Sequence, residues 1–222
     1  VTEYVSSLGI TCQPDDVLIT GGTQQALDLV VQAVLGEGDA LITGSPTYLG
    51  ILDIAHVRRV RPVGVPVDTD GIRIEAVEAA IREHRPGLIY AAPTFHNPTG
   101  TSLAGERRAA LVALARREEL LILEDDVYRE LAYDGEAPPS LWSLDPKAPI
   151  LRLGTFSKSL APGLRVGWAT GRADLRERFV GAGMIASGGC PSQFAAAAAG
   201  ELLAAGDYES HVARLRATYR SR

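Results

Sequence analysis

The chain has 222 residues, 46% hydrophobic and 22% charged, enough for one large globular domain with a substantial core but too few for two. Acidic residues outnumber basic ones, 27 to 22, for a formal charge of −5, which argues against nucleic-acid binding by this segment. No apolar run reaches membrane-spanning length and the start, Val1-Thr2-Glu3-Tyr4, lacks the pattern of a signal peptide, so no membrane partner and a cytoplasmic location are expected.

Residues 1–9 read as the end of a helix. A short apolar run at 17–20 has the character of a buried parallel strand. It runs into Gly21-Gly22-Thr23-Gln24-Gln25, which opens a helix with Ala26, Leu27, Val30, Val31, Val34 and Leu35 on one stripe, stopped by Gly36. Glycines let backbone N–H groups approach an anion, the helix N-terminus adds positive potential, and Thr23 supplies a hydroxyl. The same residues also make an ordinary Gly-rich turn and cap. A strand at 40–43 leads to Ser45-Pro46-Thr47-Tyr48, where the aromatic either stacks on a flat ligand or simply packs. After the turn Asp68-Thr69-Asp70-Gly71, the residues Ile74, Val77 and Ile81 mark a second helix. The strand at 88–91 is followed by Pro93-Thr94-Phe95-His96-Asn97-Pro98-Thr99-Gly100, polar and rigid, which offers the Asn97 amide as a donor. His96 reads there as a loop histidine with satisfied hydrogen bonds rather than as a base.

Leu103, Leu111, Leu114 and Ala115 form a third helical stripe, with Ser102 as its expected N-cap. The strand at 120–124 ends in Glu124-Asp125-Asp126-Val127-Tyr128. A carboxylate at that position suits a protonated heterocyclic nitrogen, with Tyr128 reaching a neighbouring oxygen. Adjacent acids also suit a hard metal ion, but no His or Cys cluster accompanies them and no metal is expected. Residues 137–140 are a loop. The strand at 150–154 runs into Thr155-Phe156-Ser157-Lys158-Ser159, and the run 166–170 follows so closely that it suits an antiparallel addition. The last segment, 208–222, carries Val212, Leu215 and Tyr219 at helical spacing. Strand, crossover and strand, repeated, predict an α/β fold with a mostly parallel central sheet and helices on both faces.

Cys12 and Cys190 stand far apart without ligand spacing and are expected to be free thiols in a reducing compartment. Lysine is rarer than its charge class suggests: of 22 basic residues only Lys147 and Lys158 are lysines. Lys147 lies in Asp145-Pro146-Lys147-Ala148-Pro149, a loop, and is expected to be solvated. Lys158 follows an apolar strand, flanked by hydroxyls and with Arg165 seven positions on. A desolvated amine near cationic groups has a lowered pKa and serves as a nucleophile, which is the expectation for Lys158. Thr155, Ser157 and Arg165 together are the donors that a phosphate dianion needs.

These clusters, in this order, resemble the class I/II aminotransferases, fold type I of the pyridoxal-phosphate enzymes, over essentially the whole chain. The most specific pieces are S-K-S-L-A-P-G-L-R-V-G, H-N-P-T-G and E-D-D-V-Y, with C-Q-P-D-D-V-L-I-T-G-G-T-Q-Q-A-L-D-L adding to them. The chain is most similar to the subgroup of 2-aminoadipate-type transaminases and the aminotransferase-like domains of GntR-type regulators. The resemblance implies that Lys158 bonds covalently to pyridoxal 5'-phosphate and later shuttles a proton to and from the substrate α-carbon. It implies that Asp125 pairs with the pyridine nitrogen, so that the ring acts as an electron sink. Tyr128 and Asn97 would bond the ring's phenolic oxygen, Asn97 also touching the substrate carboxylate, and Tyr48 would stack on the ring. Thr23, Gln24, Thr155, Ser157 and Arg165 would hold the phosphate, with Gly22 allowing close approach.

Members of this family carry an N-terminal segment and a C-terminal small domain that binds the substrate carboxylate, and neither is found in these 222 residues. The expectation is therefore a large domain over 1–222, with 208–222 starting the connection to a small domain, and a homodimer when full length. The implied reaction is amino-group transfer between an amino acid and a 2-oxo acid. Two alternatives remain open: the cofactor-binding effector domain of a GntR-type regulator, and lyase or decarboxylase chemistry on the same cofactor.

Overall fold

A computed structural model of the chain describes residues 1–7, 12–171, 173–180 and 192–222; Cys190 lies outside the described residues. The strands are β1 (Val17–Thr20), β2 (Ala40–Ser45), β3 (Arg61–Asp68), β4 (Gly71–Ile72), β5 (Leu88–Ala91), β6 (Leu121–Asp125), β7 (Ile150–Thr155) and β8 (Gly167–Gly171). The helices, in chain order, are α1 (Thr2–Ser7), α2 (Thr23–Val34), α3 (Leu49–Val57), α4 (Ile74–His84), α5 (Gly105–Glu118), α6 (Leu141–Leu144), α7 (Ala173–Val180), α8 (Gln193–Ala204) and α9 (Asp207–Arg220). None of the described helices is long and apolar enough to cross a membrane.

The strands form one sheet in the order β1-β8-β7-β6-β5-β2-β3-β4. From β3 to β7 every pairing is parallel, as alternating strands and crossover helices require. The 166–170 run becomes β8, antiparallel to β7, a pairing that a short connection can reach. The run at 17–20 departs from expectation: β1 pairs only with β8, and antiparallel. Two successive reversals restore its direction, so β1 still ends at the same edge as the parallel strands. That edge collects the ends of β1, β2, β5, β6 and β7 and the start of β8.

Strand pleating sorts the core into two layers. Leu41, Leu88, Tyr90, Leu121, Leu123, Leu151 and Leu153 face Leu27, Val31, Ile51 and Ile54 of α2 and α3. Ile42, Ile89, Ile122 and Ile150 face Val77 of α4 and Leu111, Leu114 and Ala115 of α5. Strand β3 carries no sequence signal, because Pro62, Gly64 and Pro66 read as punctuation. It is tolerated near the sheet edge, where only the two-residue β4 lies beyond it. Ser102 does not cap α5: Ala104 holds that position, and Ser102 Oγ instead accepts from Phe95 N at 3.1 Å. Leu103 likewise precedes the helix and packs against Gly71.

Gly154 of β7 pairs in register with Trp168 of β8, and the fully buried indole lies across it. A Cβ at position 154 would stand 2.3 Å from Trp168 Cε2. Gly154→Ala is expected to displace the indole and lower unfolding free energy by about 1–3 kcal/mol, checked by urea denaturation.

Candidate active site

Open α/β sheets bind ligands beyond the carboxyl ends of their strands, and the polar clusters of this chain converge there. A cleft of about 110 Å³ at that edge is lined by Thr23, Gln24, Tyr48, Tyr90, Asn97, Asp125, Tyr128, Ser157, Lys158 and Arg165, with Ala92 and Val127.

Glu124, Asp125 and Asp126 are consecutive, so the pleat sends them to opposite faces. Asp125 goes with Leu121 and Leu123 to the cleft side. Its Oδ2 accepts a hydrogen bond from the Tyr90 hydroxyl at 2.6 Å, while Oδ1 is buried with no partner. Burial pushes its pKa up to about 6; the Tyr90 hydrogen bond pulls the other way, Asp126 pushes upward, and Lys158 pulls down. Glu124 and Asp126 go to the opposite face. Glu124 Oε1 and Oε2 accept from Leu141 N (2.7 Å) and Trp142 N (3.1 Å), satisfying donors that the start of α6 leaves free. Asp126 Oδ2 is held by Arg129 Nε at 2.7 Å and Arg152 Nε at 2.9 Å, and Arg152 is itself fully buried. The motif's outer acids thus stabilise the strand end, and its middle acid is presented to the cleft.

Other residues of the cleft lining are donors that suit an anion. Helix α2 begins at Thr23, and its N-cap, Gly22, offers no side-chain capping bond. Gly22 has φ +90 and a Cβ there would lie 2.4 Å from an Arg165 guanidinium nitrogen, so glycine is required on both counts. Arg165 donates to Gly21 O at 3.0 Å and to Ser157 Oγ at 3.3 Å. Thr155 does not line the cleft. It is buried, accepting from Ser157 N at 3.1 Å and donating to Val166 O at 3.1 Å, which holds the Ser157 turn in place. Gln24 is also engaged by its side chain: Oε1 accepts from the Tyr48 hydroxyl and Nε2 donates to Gly50 O, both at 3.2 Å. A Cβ on Gly50 would collide with the Tyr48 ring, so that glycine lets the tyrosine lie at the cleft wall.

Lys158 sits in the turn after β7, with Nζ 5.8 Å from the centre of the Tyr128 ring. The expected burial is not found. Phe156 and Ser159 turn into the core on either side, and the reversal leaves Lys158 exposed at the cleft mouth. Asn97 and Tyr128 line the same cleft; the Tyr128 pKa is raised by burial and then by Asp125, while the Asn97 amide pulls it down. His96 is buried, its Nδ1 2.9 Å from Thr99 Oγ1, and burial lowers its pKa, so it remains neutral near pH 7. Lys147 is exposed in its loop.

Residues 1–222 match the family model for aminotransferase class I and II. The chain belongs to that family. It is 38% identical to the 2-aminoadipate transaminase of Thermus thermophilus over 77% of this chain and 44% of that one. It is 34% identical to the HTH-type transcriptional regulator YisV of Bacillus subtilis over 100% of this chain and 46% of the relative. The crystal structure of the α-aminoadipate aminotransferase LysN from Thermus thermophilus superposes with a TM-score of 0.91 at 32% identity, covering 99% of this chain and 57% of that chain. The chain thus spans about half the length of these relatives.

Within this aminotransferase-family domain, three features escape a reading of the sequence. Tyr90 lies 35 positions from Asp125 inside an apolar strand, and the only local signal is a buried hydroxyl that must find a partner. Arg152 is hidden the same way within β7. Arg108 of α5 is buried and donates to Leu103 O, Pro139 O, Pro93 O and Thr94 Oγ1, tying down the segment that leads to Asn97.

The raised pKa of Asp125 has a stability consequence. An unfolded aspartate titrates near 3.9, so between about pH 4 and 6 the folded chain holds the proton more tightly. That contribution is complete below the unfolded value and is lost as pH rises through the folded one. Urea unfolding of the chain alone at stepped pH is expected to show a decline on the order of 3 kcal/mol from this group, absent in Asp125→Asn.

Proposed function

We propose that this chain is the cofactor-binding domain of a pyridoxal-phosphate-dependent aminotransferase, moving an amino group between an amino acid and a 2-oxo acid. One observation carries the reading: the buried, unpartnered Asp125 Oδ1 shares a cleft with an anion cradle and one of the chain's two lysines. An orphaned carboxylate oxygen needs a cation or donor, and a protonated pyridine nitrogen is a planar one of the right charge. The N–H groups of Thr23 and Gln24 at the α2 N-terminus, with Ser157 and Arg165, suit a phosphate dianion. The residues present therefore fit this cofactor.

When bound, pyridoxal phosphate supplies an aldehyde that condenses with amines and a ring that draws electrons from the substrate α-carbon. The rest is done by side chains. Asp125 keeps the proton on the ring nitrogen. Asn97 and Tyr128 supply hydrogen bonds at the ring's phenolic oxygen, and Asn97 also meets the substrate carboxylate. Tyr48 covers one ring face. The N–H groups of Thr23 and Gln24, with Ser157 and Arg165, hold the phosphate; Thr155 positions Ser157, and Gly22 clears the space for Arg165. Lys158 would supply the amine that bonds the aldehyde carbon and, once the substrate amine has displaced it, would be free to take the α-proton and return it. In this reading the whole protein is cytoplasmic and homodimeric, and residues 208–222 lead towards a second domain.

A second reading has its own support. Several relatives matched over nearly all of this chain are HTH-type transcriptional regulators. In a protein of that kind the same site would bind the cofactor to signal rather than to turn over. A winged helix-turn-helix upstream of Val1 would favour this regulator reading over the enzyme.

The site itself is tested at Lys158. In the full-length protein, borohydride is expected to trap the cofactor on Lys158 in the peptide map. Lys158→Ala is expected to lose the absorption of covalently attached cofactor while keeping part of its affinity for pyridoxal phosphate. An unchanged absorption band in the variant would refute the assignment.

A further inference from the structure

We infer that Tyr90 is a positioning residue for the reaction: by donating to Asp125 Oδ2 it reserves the other oxygen, Oδ1, for the ring nitrogen of the cofactor. The inference rests on the role proposed above for Asp125 and adds a residue that acts through it.

The geometry comes from strand pairing. Tyr90 of β5 is in parallel register with Leu123 of β6, so its side chain leaves the sheet on the same face as Asp125, two residues further on. The ring is 1% exposed, within the layer that holds Leu88, Leu121, Leu123 and Leu153, and a ring so enclosed cannot swing away. Its hydroxyl reaches Oδ2 at 2.6 Å, at the short end of O–H···O distances. The terminal torsion of an aspartate is soft, so a carboxylate anchored at neither oxygen rotates freely. One fixed donor at Oδ2 sets the plane and leaves Oδ1 unpartnered beside the cleft. The donor is also the right kind. A neutral phenol leaves the negative charge on the carboxylate, whereas a cation there would compete with the cofactor for it. Burial keeps Tyr90 protonated across the working pH range.

The simpler account is a core tyrosine that merely needs somewhere to place its hydroxyl. Ring-nitrogen dependence separates the two. The measurement is the affinity of the full-length protein for pyridoxal phosphate and for deazapyridoxal phosphate, in which carbon replaces the ring nitrogen. The unsubstituted protein is expected to prefer pyridoxal phosphate. Tyr90→Phe keeps the ring and removes one hydroxyl. It should weaken pyridoxal phosphate on the order of 10–100-fold while changing affinity for the deaza analogue less than about twofold. In an Asp125→Asn background, Tyr90→Phe should cost nothing further.

Equal losses for the two ligands, additive losses in the double variant, or failure of Tyr90→Phe to fold would each overturn the inference and leave Tyr90 as a structural residue. Equal affinity of the unsubstituted protein for both ligands is a different result: it removes the role proposed for Asp125, and Tyr90's with it.

Discussion

Glu124, Asp125 and Asp126 place three carboxyl groups in succession at the end of a strand that is buried along its whole length. Left uncompensated, so much buried charge would not be compatible with a stable sheet. Pleating divides the load. The outer two face a layer that supplies the α6 N-terminus, Arg129 and Arg152, and the middle one faces Tyr90 and the cleft. The arginines on neighbouring elements and the short helix that follows are best understood as the surroundings that this strand end demands.

The same edge carries its electrostatic complement. Asp125 gives the cleft an acceptor, and the α2 N-terminus with Arg165 gives it donors. A ligand with a cationic ring nitrogen and an anionic tail would be held by both groups at once. The polarity is set by chain direction: β6 delivers its acids at its carboxyl end, and β1 delivers α2 at its own. Because β8 and β1 reverse direction twice, these ends lie on the same edge of the sheet.

Backing residues hold the site more than its lining residues suggest. Thr155 fixes the turn that presents Ser157 and Lys158, and Tyr208 of α9 donates to Ser159 at 2.7 Å directly beside Lys158. Arg216 of α9 donates to Glu130 O at 2.6 Å, close to Tyr128. The last helix is thereby tied to two loops of the cleft. Gly22, Gly50 and Gly154 each accommodate a neighbouring side chain that a Cβ would displace.

Local pattern alone was enough to place Asp125, Tyr128, Asn97 and Lys158 at strand ends, because strand period, turn residues and scarcity of lysine are properties of short stretches of chain. It was also enough for the alternation of strands and helices, and for β8 as an antiparallel addition. Other features depended on which distant segments meet. The pairing of β1 with β8, the proline-bearing β3 and the Tyr90–Asp125 hydrogen bond join residues that carry no mark of each other. The inward turn of Thr155 and the exposure of Lys158 were decided likewise, by Phe156 and Ser159 claiming the core on either side. A sequence states what each residue can donate, accept or bury; only the packed sheet decides which neighbour is there to receive it.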